Sequence, residues 1–167
     1  MGLLSTIKGW LNIGGVKILL WKYTEPLSRT DLVIEGAVLF KSKSDKTVTS
    51  LEVKVVEEIT TTDGEGEDKT TEKETNILGT VKFPIHDPGL GYPLEVKAGV
   101  NQEQTFSLNV ALTSHLQEYS VPTTKLGKLA ALASKDSEKV EYYIVASAAI
   151  KGATFSTEDK HLLKIGD

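Results

Sequence analysis

The apolar residues of this chain open with helical spacing and then settle into alternation. Leu3, Leu4, Ile7, Trp10 and Leu11 recur three and four apart, which predicts a short amphipathic helix over residues 1–13, ended by Gly14 and Gly15. From Val16 the period is two. Residues 16–23 are rich in β-formers and apolar on both faces, as an interior strand would be. In 31–41, Leu32, Ile34, Val38 and Phe40 share a face. Through 47–62, Leu51, Val53, Val55 and Ile59 alternate with Glu52, Lys54 and Glu58, the signature of a half-buried strand. Asp63, Gly64, Glu65 and Gly66 then mark a turn. The chain returns through 69–83 with Ile77, Val81 and Phe83 expected to face inward. The two stretches form a long hairpin whose distal half is polar and should project into solvent.

After Pro84, proline and glycine make residues 86–93 a loop. Strands are expected at 94–97 and 105–112, the second with Phe106, Leu108, Val110 and Leu112 in strict alternation. Over 123–135 the period changes again. Leu126, Leu129, Ala130 and Ala133 fall on one helical face behind a cap at Thr123 or Thr124. Residues 140–150 read as a strand with Val140, Tyr142, Ile144, Ala146, Ala148 and Ile150 on one side, and 158–165 close the chain. About eight strands, short connections and two short helices predict a mainly β protein. The expected architecture is one antiparallel β-sandwich domain of immunoglobulin type over 1–167, with the sandwich at 14–167.

Composition narrows the chemistry. With 40% hydrophobic and 25% charged residues, the 167-residue chain has an ordinary globular make-up. The formal charge is −4 and Arg29 is the only arginine, a poor basis for nucleic-acid binding. Cysteine is absent, which removes disulfides, thiolate metal sites and cysteine nucleophiles and suits a reducing, cytoplasmic setting. Lys8, Asn12, the glycine pair and Lys17 interrupt the apolar N-terminal residues, so no membrane-spanning run or signal h-region is expected. Met1 and Gly2 followed by Thr6 match the myristoylation pattern, which chance also produces.

No catalytic or cofactor motif emerges. His86, His115 and His161 lack metal-ligand spacing and read as lone surface histidines. There is no G-x-S-x-G elbow, and Gly127-Lys128 is followed by Leu129 where a P-loop needs Ser or Thr. Trp10 and Trp21 both lie near the N-terminus, so a paired-carboxylate glycosidase lacks its aromatic cleft. No metal and no cofactor is expected. An acidic cluster stands out between Glu57 and Glu74, and its turn residues Asp63, Glu65, Glu67 and Asp68 invite a weak Ca²⁺ reading. EF-hand spacing is missing, and a solvated hairpin tip that discourages edge pairing explains the cluster better. An acidic arm for a basic partner lies between the two.

The order of elements resembles that of bacterial sporulation-control proteins that carry an arrestin-like fold. Gly2-Leu3-Leu4, Trp10-Leu11 and the glycine break lead straight into Val16-Lys17-Ile18-Leu19-Leu20, as in the opening of those proteins. Leu32 to Val38, with its Gly36-Ala37-Val38, looks like their second strand, and Leu51 to Val56 with its return looks like their long hairpin. Leu94-Glu95-Val96-Lys97-Ala98-Gly99 followed by Gln104 to Leu108 is similar to a passage of arrestin-type N-domains, and 140–150 with Asp159-Lys160-His161 to the final strands. Two departures matter. Such proteins usually hold two sandwiches where this chain has room for one, and the charged core of arrestins uses arginine where this chain has Arg29 alone.

The resemblance implies a non-enzymatic adaptor or regulatory scaffold that binds a protein partner, or itself, through sheet surfaces, edge strands or loops. Candidate contact residues are Leu3, Leu4, Ile7, Trp10 and Leu11 on the helix and Asp63, Glu65, Glu67 and Asp68 at the hairpin tip. One alternative is peripheral association with a membrane surface through the same helix, with only Lys8 to attract anionic lipid. A hydrolase with a site invisible in sequence is a second.

Overall fold

The computed structural model describes residues 15–64, 66–83, 92–119 and 137–166. The predicted helices at 1–13 and 123–135 lie outside them. Eight strands follow in chain order: β1 (Val16–Tyr23), β2 (Val33–Ser42), β3 (Lys46–Asp63), β4 (Thr70–Phe83), β5 (Leu94–Val96), β6 (Gln102–Asn109), β7 (Ser137–Ile150) and β8 (Thr157–Leu162). A five-residue helix, α1 (Ser114–Glu118), follows β6. The sequence pattern did not predict it.

The strands form two antiparallel sheets. The smaller has the order β1-β2-β6 and the larger β4-β3-β7-β8, with β5 pairing the first residues of β3. One parallel bridge, Leu27 to Ile165, ties a loop to the C-terminal residues. Between the sheets the alternating apolar residues meet in one buried cluster. Val16, Ile18 and Leu20 come from β1, Ile34, Val38 and Phe40 from β2, Leu51, Val53 and Val55 from β3, and Tyr142, Ile144, Ala146 and Ala148 from β7. A mainly β sandwich is therefore the observed architecture.

Four details depart from the sequence reading. β1 is an edge strand of its sheet and leaves Trp21 50% exposed, so burial on both faces does not hold. Ile77 is 62% exposed, while its neighbour Leu78 is buried. The register between β3 and β4 shifts next to Val55 and Val56, where β4 carries an extra residue. One inserted residue turns every later side chain to the opposite face. Leu112 lies beyond the end of β6 and is exposed, because the apolar alternation runs past the last ladder pair. Finally, the distal hairpin does not project alone, since β7 pairs with β3 as far as Thr62 and Ser137.

Two glycines set how closely elements approach. A Cβ on Gly36, in the middle strand of the smaller sheet, would lie 2.7 Å from the Phe106 ring and 2.8 Å from Tyr23 Cβ. At Gly79 a Cβ would overlap the carbonyl oxygen of Asn109, so β4 meets the end of β6 backbone to backbone. The hydrogen bond from Ala111 N to Leu78 O, 2.7 Å, seals that junction.

Candidate functional site

A sandwich has two rims, where the edge strands of its sheets come together, and here the rims differ. At the first, β1 meets β8. Leu20 N donates to Asp159 Oδ2 at 2.8 Å across the gap between the sheets. His161 Nε2 lies 3.0 Å from the same oxygen, and Tyr23 Oη lies 3.4 Å from His161 Nδ1. The hydrogen bond with Asp159 raises the His161 pKa against the opposing pull of burial. Burial raises that of Tyr23, with Glu25 and Asp159 adding to it. The carboxylate, imidazole and phenol thus clamp one sheet to the other.

At the second rim, β4 approaches β6. The junction of Gly79 with Asn109 closes one end of it, and beyond that junction the rim stays open. There an open cleft of about 760 Å³ runs across the smaller sheet from Tyr23 through Gly36 to Phe106, with Val81 and Phe83 of β4 as its other wall. Val110 N donates to Leu32 O, which fixes the alternation of β6 against β2. Even-numbered residues of β6 turn their backbone groups toward β2, and Glu103, Thr105 and Ser107 turn theirs outward. Among the described residues no strand pairs with β6 on that side. The Thr105 carbonyl accepts a side-chain hydrogen bond from Gln104 Nε2 at 2.7 Å, as an oxygen outside the ladder would.

Glu57, Glu58 and Arg29 have structural partners elsewhere in the sandwich, whereas the buried Tyr92 hydroxyl has no hydrogen-bond partner among the described residues. Glu57, 1% exposed, sits on the inward face of β3 and accepts hydrogen bonds from Tyr142 Oη at 2.9 Å and Thr113 Oγ1 at 2.8 Å. Thr113 Oγ1 also accepts from Leu116 N and so caps α1. His115 Nδ1 lies 3.6 Å from Glu57 Oε1, and Nε2 lies 3.6 Å from Glu138. On the outer face, Glu58 is held by Lys73 at 2.8 Å and by Lys160. Burial alone would raise its pKa, but the hydrogen bonds from Lys160 and Lys73 prevail and lower it. Lys160 also stands 4.1 Å over the Tyr143 ring, and burial plus the hydrogen bond to Glu141 push the Tyr143 hydroxyl up to about 12. Arg29 donates from Nε to Gly166 O at 3.0 Å and from Nη1 to Gln117 O and Tyr119 O, which joins the C-terminal residues to α1. The sequence reading counted Glu57 in the solvated acidic cluster, yet it keeps the odd-numbered phase of Leu51, Val53, Val55 and Ile59 and is buried.

Of the predicted contact residues, Asp63, Glu67 and Asp68 are exposed at the hairpin tip, where Gly66–Asp68 form a 3-10 turn. Glu65, Leu3, Leu4, Ile7, Trp10 and Leu11 lie outside the described residues, as does His86. His115 and His161 are not lone surface groups, because each is half-buried against carboxylates. Among the described residues no group of three His, Asp or Glu side chains could hold a metal ion, and no helix is long and apolar enough to cross a membrane.

No family model matches this chain. No curated protein matches it either. Among solved structures it is similar to Spo0M, a sporulation control protein from Bacillus subtilis, with a TM-score of 0.49 and 12% sequence identity. That similarity covers 93% of this chain and 51% of the other, so the chain spans about half the length of the structure it matches. The sandwich follows from the strand order and register of the two sheets.

Proposed function

We propose that this chain is a non-enzymatic binding module, an adaptor whose rigid sandwich offers the open edge of β6 to a protein partner. The observation that carries the reading is the backbone of Glu103, Thr105 and Ser107, turned away from β2 beside a cleft walled by Val81 and Phe83. An extended segment of a partner satisfies such groups by adding a strand, and the cleft receives its alternate side chains. The cysteine-free sequence suits an intracellular setting for that role. The membrane alternative depends on residues outside the described ones, and among the described residues no arrangement of side chains favours the hydrolase.

The test is capture from host extract on immobilised chain, with Thr105→Pro as the comparison. Proline at this position removes an outward N–H and leaves the ladder with β2 intact. Proteins retained by the wild type, identified by mass spectrometry, should be lost on the variant while circular dichroism and melting temperature hold. A retained set identical for both proteins would sink the reading.

A further inference from the structure

Apart from the three-residue β5, the other three edge strands among the described residues carry features that discourage pairing. Distal β4 presents Glu72 and Glu74, β8 presents Glu158, and β1 carries Lys17 and a register shift between Leu20 and Lys22. Charged residues and bulges of this kind keep edges from pairing with other chains. β6 lacks them. Its eight residues pair with β2 without a shift, it holds neither lysine nor proline, and its one charged residue, Glu103, is occupied by Lys22 at 3.3 Å. An edge left unguarded beside three guarded ones is a surface kept for pairing.

We propose that what pairs there is a second copy of this chain, joined antiparallel β6 to β6 in a register symmetric about Thr105. This inference rests on the binding-module reading above. In that register the outward-facing residues meet as hydrogen-bonded pairs: Thr105 opposite Thr105 of the second copy, and Glu103 opposite Ser107 of the second copy, on both sides of the two-fold axis. The only charged residue of the strand thus meets a hydroxyl that can donate to it, and no like charges oppose each other. Threonine pairs are favourable cross-strand neighbours. Asn109 is taken up by the junction with Gly79, which confines the seam to 103–107 and gives it a definite end. Gln104 releases the Thr105 carbonyl as the second strand arrives. The result is a continuous sheet of two three-stranded halves, with the clefts of the two copies side by side at the seam.

The chain contains no cysteine, so one introduced thiol reports on the seam without background. Hydrogen-bonded antiparallel partners stand about 5.5 Å apart between Cα atoms, within disulfide reach. Under mild oxidation the full chain carrying Thr105→Cys should form a covalent dimer, and the chain carrying Glu72→Cys on the β4 edge should remain monomeric. Sedimentation equilibrium of the unmodified chain should show a reversible dimer. Ser107→Lys, which sets a cation against Glu103 of the other copy, should tighten it at least several-fold at low salt, and Ser107→Glu should weaken it by at least as much. A chain that stays monomeric throughout, or equal cross-linking at residues 105 and 72, or a dimer indifferent to the sign of the charge at 107, would overturn the self-pairing. If the chain is monomeric yet Thr105→Pro still abolishes capture of a host protein, only the identity of the partner falls. If capture is also unaffected, the module reading falls with it.

Discussion

A carboxylate with 1% of its surface exposed has almost no water to solvate it, so the hydroxyls that reach Glu57 supply the dipoles it needs. Tyr142 brings one from β7. Thr113 brings the other from the segment after β6, and because it also caps α1, the charge on β3 is linked to the start of that helix. Glu57→Ala leaves both hydroxyls facing a cavity and should cost about 3 kcal/mol in urea unfolding. Glu57→Gln keeps an acceptor of the same size and should cost about 1 kcal/mol. Hydrogen exchange at Leu116 should quicken in the alanine variant well before global unfolding. Equal losses for the two variants would mean that the volume at this position matters and its hydrogen bonds do not.

Alternation along β2, β3, β6 and β7 made those elements readable, because a strand with one buried face must repeat every two residues. The same rule explains where the reading failed. In β4 it assigned Ile77 to the core, yet the inserted residue at Leu78 reverses the phase, and nothing in the composition of Asn76-Ile77-Leu78-Gly79 distinguishes a bulge from a regular run except the glycine. That glycine marks the junction with Asn109. In β1 the apolar run predicted an interior strand, but whether a strand lies inside or at an edge depends on partners distant in sequence. Gly79→Val tests the element directly. The added side chain would collide with backbone, which cannot move as a flexible side chain can, and should cost about 3 kcal/mol in thermal or urea unfolding. The amide of Ala111 should lose its protection from exchange at the same time.

At the scale of the whole molecule, the sandwich was legible in the sequence and the difference between its rims was not, since Asp159, His161, Tyr23 and Leu20 meet only after both sheets have formed. This closed rim gives the fold a pH dependence whose sign follows from linkage. Folding raises the His161 pKa through its hydrogen bond with Asp159, so the native state holds the proton more tightly than the unfolded chain does. The stabilisation is complete below the unfolded value of about 6.5 and is lost as pH rises through the folded one. Glu58 acts in the opposite direction and in another range. Its lowered pKa contributes stability above the unfolded carboxylate value of about 4.3, which disappears only as pH falls through the folded one. The histidine is therefore best isolated in a pH series that starts above the carboxylate range and runs upward through neutrality, where the carboxylate contribution is constant. The difference in urea midpoint between the wild type and His161→Gln should be larger at the acidic end and shrink toward the alkaline end. Because the imidazole is partly exposed, added salt should reduce that difference. A difference that stays level across the range would show that the imidazole contributes packing at this rim and its charge nothing.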